Sequence, residues 1–215
     1  MPVKAKICGI NSAEALNAAV AGGADAVGFV FFPPSPRALT IDPAAELAAA
    51  VPQGVMRIGL VVDMDDAGLT EIAENIPLDL LQLHGAETPE RAGEIKERTG
   101  LPVMKAIKIA AESDIESAEP YMGIVDRILF DAKPPADMKG ALPGGNALSF
   151  DWGWLAGRHL TYPWMLSGGL DAENIGEAVR ISGADFVDVS SGVEARPGVK
   201  DPGRIAAFLE CVKGL

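Results

Sequence analysis

Residues 1–30, MPVKAKICGINSAEALNAAVAGGADAVGFV, contain one complete folding unit. Val3–Cys8 is a short, mostly apolar run that predicts a strand. Ser12 then stands where a helix N-cap acceptor belongs, ahead of an alanine-rich segment, so a helix is expected over Ser12–Ala21. A Gly-Gly-Ala-Asp turn follows, and Ala26–Val30 reads as a second strand. Strand, helix and strand in about 30 residues is a parallel βαβ unit.

The alternation continues to the end of the chain. Further strands are expected at Arg57–Val62, Leu78–Leu83, Pro102–Ile107, Arg127–Asp131, Trp164–Ser167 and Phe186–Val189. Their near-continuous apolar character is that of strands buried on both faces. Helices are expected at Pro43–Ala50, Ala67–Asn75, Pro89–Thr99, Ala111–Ala118, Ala172–Ile181 and Pro202–Val212, with a poorly defined stretch near Trp152–Ala156. Asp42, Thr88, Asp171 and Asp201 occupy N-cap positions like Ser12, and proline directly follows three of these caps. Eight units in 215 residues give about 27 residues each, which suits a single-domain (β/α)8 barrel over residues 1–215. The rival, a doubly wound dinucleotide fold, lacks its Gly-x-Gly-x-x-Gly fingerprint after the first strand. GGADAVGF at 22–29 and SGADFVDV at 182–189 echo each other, but a helix end, turn and strand start account for both.

The formal net charge is −12, from 18 Lys plus Arg against 30 Asp plus Glu. Such a field repels nucleic-acid backbones and anionic lipid, so neither is an expected partner. No run of about 18 apolar residues predicts a membrane span. Two cysteines, Cys8 and Cys211, are too few for a disulfide framework. With no signal-peptide pattern at the start, a reducing cytoplasm is expected.

In a barrel, residues at the carboxyl ends of strands form the catalytic rim. Cys8 ends the first strand, where a thiol of lowered pKa serves as base or nucleophile; the alternative is a small buried packing residue. Asp131 ends the sixth strand in RILFDAKPP, where burial favours the protonated form and suits proton donation; the alternative is a cap or loop brace. Asp63 is a weaker candidate of the same kind. Asp188, inside the eighth strand, needs a partner if it faces inward. Arg37 sits in FFPPSPR, a proline-stiffened loop that can aim a guanidinium at a carboxylate or leave it solvated.

Gly168 and Gly169 follow the seventh strand, and Ser190, Ser191 and Gly192 follow the eighth. Paired glycine-containing loops there let backbone N–H groups approach a phosphate. His84 in LQLHG and Lys105 and Lys108 in KAIKI also lie near strand ends, and a lysine there forms a Schiff base or, more commonly, an ion pair. His159 is expected to face solvent and Cys211 to pack in the last helix, remote from Cys8. No spacing supports a metal site.

The blocks KICGI at 6–10, GADAVGFVFFPPSPR at 23–37, LQLHG at 81–85, FDAKPP at 130–135, PGGN and FDW within 143–152, LSGGLDAENI at 166–175 and FVDVSSGVE at 186–194 resemble the phosphoribosylanthranilate isomerase family. The likeness runs nearly end to end. It implies a (β/α)8 barrel that converts N-(5′-phosphoribosyl)anthranilate into 1-(2-carboxyphenylamino)-1-deoxyribulose 5-phosphate by an Amadori rearrangement in tryptophan biosynthesis. By the resemblance, Cys8 is the general base and Asp131 the general acid. Arg37 faces the anthranilate carboxylate. Backbone at Gly168, Gly169, Ser191 and Gly192 holds the phosphate, with Gly144 and Gly145 contributing, and Ser190 and His84 complete the expected substrate-binding set.

The partner is thus a small phosphorylated substrate, and the protein a monomer or homodimer. An internal acid–base rearrangement keeps its electrons in the substrate, so no cofactor is expected. Two departures from the family pattern stand out: Asn11, where threonine is common, and Ala147, where glycine is common. The alternatives are another sugar-phosphate barrel, such as indole-glycerol-phosphate synthase, and a non-catalytic sugar-phosphate binder. The former carries an N-terminal extension and catalytic lysines, whereas here the first strand is expected from Val3. The latter has no use for both Cys8 and Asp131.

Overall fold

A computed structural model describes residues 2–134, 144–146 and 148–215. Eight strands close into one parallel barrel in chain order: β1 Lys4–Cys8, β2 Ala26–Val30, β3 Met56–Val61, β4 Leu80–Leu83, β5 Val103–Ile109, β6 Arg127–Ala132, β7 Trp164–Leu166 and β8 Phe186–Val189. β1 pairs with β8, which closes the ring. The helices α1 Ala13–Gly22, α2 Ile41–Ala49, α3 Asp66–Asn75, α4 Pro89–Thr99, α5 Ile175–Ser182 and α6 Pro202–Lys213 follow successive strands, except β5 and β6. Among the described residues no helix is long and apolar enough to cross a membrane.

Three of the five expected caps bond as predicted: the side chains of Ser12, Thr88 and Asp201 accept from Ala15 N, Arg91 N and Arg204 N. Two expectations are corrected. Thr40, without a side-chain cap bond, precedes α2, leaving Asp42 inside the first turn. Asp171 instead accepts from the amides of Glu173 and Asn174 and builds the turn ahead of α5. Two predicted helices are 3-10 turns, Glu112–Tyr121 and Trp152–Leu155. In the first, Pro120 interrupts the i→i−4 ladder and the Asp114 carboxylate takes the amides of Ala110 and Ala111, so an α-helix loses on both counts.

Two packed layers surround the barrel wall. The larger core lies between strands and helices and includes Ile7, Val27, Phe29, Leu81, Phe130, Val187 and Phe208. The smaller fills the barrel interior with Ala26, Ile58, Leu80, Met104, Ala106, Leu129, Met165 and Phe186. Side chains alternate across a strand, so residues two and four positions beyond these plug residues also point inward. The parity delivers Gln82 and His84 above Leu80, Asp131 above Leu129, Ser167 above Met165 and Asp188 above Phe186. Lys6, in register with Asp188, and then Cys8 follow on β1. The floor is apolar, the next layer is charged, and the mouth is reactive.

Candidate active site

The mouth encloses about 720 Å³, counted out to its opening, between residues of all the expected blocks. Cys8, Arg37, His84, Asp131, Gly144, Gly145, Gly168, Gly169, Ser190 and Ser191 line it, and Gly192 continues the last of these loops. Asp63, Lys105 and Lys108 do not. Asp63 caps the amide of Ala86 from a left-handed conformation, φ 45°, and Lys105 is buried against Glu87 at 2.8 Å. His159 is exposed as expected, and so is Cys211, contrary to the expected packing, with its Sγ 3.5 Å from the Ala172 carbonyl. Among the described residues no three His, Cys, Asp or Glu side chains gather as a metal site.

Cys8 is buried, and burial pushes its thiol above the ordinary value despite opposition from the Lys6 and Lys200 ammonium groups. Against the lowered pKa expected from its rim position, desolvation outweighs the two nearby cations. Gly28 faces it across the β1–β2 pair, where an added Cβ would come 3.0 Å from the Cys8 sulfur. Asp131 is 4% exposed. Its Oδ1 accepts from the amide of Ala132 at 3.0 Å and its Oδ2 lies 3.1 Å from His84 Nε2. Gly144 covers this contact, since a Cβ there would come 2.7 Å from His84 Nε2 and 2.9 Å from Asp131 Oδ2.

Arg37 is held from below. Its Nε and Nη2 donate to the two carboxylate oxygens of Glu194 at 2.7 and 2.9 Å, and Nη2 also donates to the Gly145 carbonyl at 3.2 Å. Glu194 opens a short hairpin after β8, made of β9 Glu194–Arg196 and β10 Val199–Lys200, and Lys200 Nζ bonds its Oε1 at 2.8 Å. Burial works against the Glu194 charge, but Arg37 and Lys200 outweigh it and hold the carboxyl below its ordinary range. The same Lys200 donates to the Ser190 carbonyl at 2.8 Å, while Ser190 Oγ donates to the Cys8 carbonyl. Asn11 fastens the hairpin to the first loop by donating to the Gly198 carbonyl at 2.9 Å. Ala147 lies outside the described residues.

The glycines of the two last loops are required by backbone shape. Gly168 and Gly169 have φ of 94° and 63°, and a Cβ on Gly169 would meet the backbone of Leu148 at 2.8 Å. A Cβ on Gly192 would overlap the Leu170 carbonyl oxygen. The expected phosphate loops thus pack closely on each other. Helix α5 begins only at Ile175, so the helical turn adjoining them is the short 3-10 segment Ser191–Val193.

Lys6, Gln82, Ser167, Glu194 and Lys200 were not marked as site residues by sequence reading. The available signal was parity: Lys6 stands two residues before Cys8 and Gln82 two before His84, so each pair shares one face of its strand. Lys6 is fully buried and pairs with Asp188 at 2.9 Å, which answers the need for a partner at that inward carboxylate. Removing either charge would strand the other, at a cost of about 3–5 kcal/mol.

Chemistry in such barrels occurs at the carboxyl ends of the strands, and the assembled mouth there makes the chain a (β/α)8-barrel enzyme. Residues 5–211 match the family described as N-(5'phosphoribosyl)anthranilate (PRA) isomerase. The chain is 56% identical over 215 residues to N-(5'-phosphoribosyl)anthranilate isomerase of Paramagnetospirillum magneticum, covering 100% of this chain and 99% of the relative. Its fold superposes on the crystal structure of phosphoribosyl anthranilate isomerase from Thermotoga maritima with a TM-score of 0.87, at 38% identity, covering 99% and 100% of the two chains. A further crystal structure of this isomerase, in complex with reduced 1-(o-carboxyphenylamino)-1-deoxyribulose 5-phosphate, gives a TM-score of 0.82 at 35% identity, covering 99% and 100%. The chain belongs to the phosphoribosylanthranilate isomerase family, and isomerisation in tryptophan biosynthesis is its activity.

Proposed function

We propose that Asp131 and Cys8 are the general acid and general base of the Amadori rearrangement of N-(5′-phosphoribosyl)anthranilate. The Asp131 carboxyl gives its proton to the furanose oxygen as the C1′–O bond breaks, and the anilino nitrogen supplies the electron pair that forms the Schiff base. Cys8, as thiolate, then removes the C2′ proton, and the resulting electrons neutralise the iminium as an enolamine. Protonation at C1′ and loss of the hydroxyl proton give the ketone, and the two enzyme groups recover their starting states by proton exchange. One acid and one base suffice.

The observation that carries this reading is that Cys8 and Asp131, distant in sequence, line one cavity with Arg37 and the glycine loops. Arg37 takes the anthranilate carboxylate, and the backbone of Gly168, Gly169, Ser191 and Gly192 takes the phosphate, with Gly144, Gly145, His84 and Ser190 completing the binding set. Domain 1–215 acts as one barrel, as a monomer or homodimer. A reducing cytoplasm suits a mechanism that needs a free thiol at Cys8. The experiment that tests the reading is growth rescue of a tryptophan auxotroph lacking this isomerase alone. The wild-type sequence restores growth without added tryptophan, whereas Cys8→Ala and Asp131→Asn are expected to fail as soluble, folded proteins, and full rescue by either variant would overturn the role assigned to that residue.

Arg37→Met is expected to raise KM by about 10- to 150-fold, the equivalent of a charge-assisted hydrogen bond of about 1.5–3 kcal/mol. Because Arg37 also anchors Glu194 and the Gly145 carbonyl, raised KM alone is not specific. Binding of product analogues with and without the carboxylate separates the roles. Loss confined to the carboxylate-bearing analogue is the expected result, and equal losses would assign Arg37 to loop structure.

A further inference from the structure

Lys6, Gln82 and Asp188 lie beneath the reacting groups and have no part in the proton transfers above. Lys6 is 0% exposed, and its ammonium carries hydrogens and no lone pair. It donates to Asp188 Oδ1 and to Gln82 Oε1, each at 2.9 Å, while Ser167 Oγ holds the other Asp188 oxygen at 3.0 Å. An ammonium can face only the oxygen of an amide, so Gln82 is fixed with its nitrogen turned the other way. That nitrogen lies 2.8 Å from His84 Nδ1. An amide NH2 only donates, so Nδ1 accepts and carries no proton. The neutral ring then has its hydrogen on Nε2, 3.1 Å from Asp131 Oδ2. Every link in the chain permits one polarity.

We propose that Lys6 and Gln82 are positioning residues that lock His84 as the neutral Nε2–H tautomer, so that it presents a hydrogen-bond donor to Asp131. The proposal rests on Asp131 being the acid. A donor N–H bonds the carboxylate left after proton delivery more strongly than the neutral carboxyl before it. His84 thereby favours departure of the proton without ionising itself. It joins the amide of Ala132, which serves the other carboxylate oxygen. Among the described residues, the remaining charged or titratable groups on this cavity are Cys8, Arg37 and Asp188, with Lys6 and Lys200 acting on Cys8 from behind.

The lock is read directly in the 15N imidazole spectrum, where protonated and bare ring nitrogens resonate apart. The chain has two histidines, and replacing the exposed His159 by Asn leaves the His84 signals alone. The wild-type pattern near neutral pH is expected to show a protonated Nε2 and a bare Nδ1. Gln82→Glu keeps an oxygen for Lys6 but sets an acceptor against Nδ1, so a proton is expected to appear there. In that variant kcat falls by about 10- to 100-fold, the range known for losing the partner that orients a metal-bound histidine, while KM changes less. A proton on Nδ1 in the wild-type protein would overturn the proposal even if Gln82→Glu failed to fold. So would a Gln82→Glu ring unchanged from wild type, or an unchanged kcat with the proton moved. Failure of the acid assignment is seen separately, as full turnover by Asp131→Asn with the His84 spectrum intact.

Discussion

Asp131→Asn is expected to lower kcat/KM by about 10²–10⁴, because an amide cannot supply the proton that ring opening demands. The geometry adds a second consequence. Both Asp131 oxygens face donors, His84 Nε2 at 3.1 Å and Ala132 N at 3.0 Å. Asparagine has one acceptor oxygen, so one donor meets an NH2 group and goes unpaired, at a cost of about 1–3 kcal/mol in stability. The rate must therefore be measured on protein shown to be folded under assay conditions. A substrate analogue already in the open-chain Schiff-base form needs no ring-oxygen proton, and Asp131→Asn is expected to convert it far better than the natural substrate. Equal impairment on both compounds would give Asp131 another role.

The barrel was legible because βα units leave a strong trace. Strands buried on both faces read as apolar runs, and caps such as Ser12, Thr88 and Asp201 mark where the following helices begin. The misread segments have identifiable physics. Around residues 111–121 the composition suits a helix, but Asp114 competes for backbone amides and Pro120 cannot donate, so a 3-10 turn wins. The rim groups Cys8 and Asp131 could be marked because strand ends carry the chemistry of such barrels. What lies beneath them was harder to read. Parity in KAKIC and LQLH puts Lys6 on one face with Cys8 and Gln82 on one face with His84, but in strands covered on both sides that alternation does not by itself say which face points into the barrel. Glu194 and Lys200 were hidden for a different reason. They act on Arg37 and Ser190 through a hairpin whose place beside the FFPPSPR loop is set by tertiary packing; a Cβ on Gly198 would overlap the Pro36 carbonyl.

The thiol shows how the surroundings of a rim residue can reverse an expectation drawn from its place in the strand. Cys8→Ala is expected to cost about 10²–10⁴ in kcat, with substrate affinity held within a few fold, since the base acts in proton transfer more than in binding. A variant with near wild-type turnover would remove Cys8 from the mechanism. The active form is the thiolate, yet burial holds the thiol above its ordinary range, against the pull of Lys6 and Lys200. The thiolate is then a minor species at neutral pH. In a Cys211→Ser background Cys8 is the remaining thiol, and its ultraviolet titration is expected to lie above that of a free cysteine. Lys6→Met removes the larger of the two opposing positive charges, so the titration moves higher still and kcat/KM at neutral pH falls with it; because Lys6 also orients Gln82 and His84 toward Asp131, part of the loss persists in the Cys8→Ala background, and the part that acts through the thiol is the excess seen when Cys8 is present. Titration of Cys8 below the free-cysteine value, or a Lys6→Met effect of the same size with and without the thiol, would show that Lys6 does not act through the charge of Cys8.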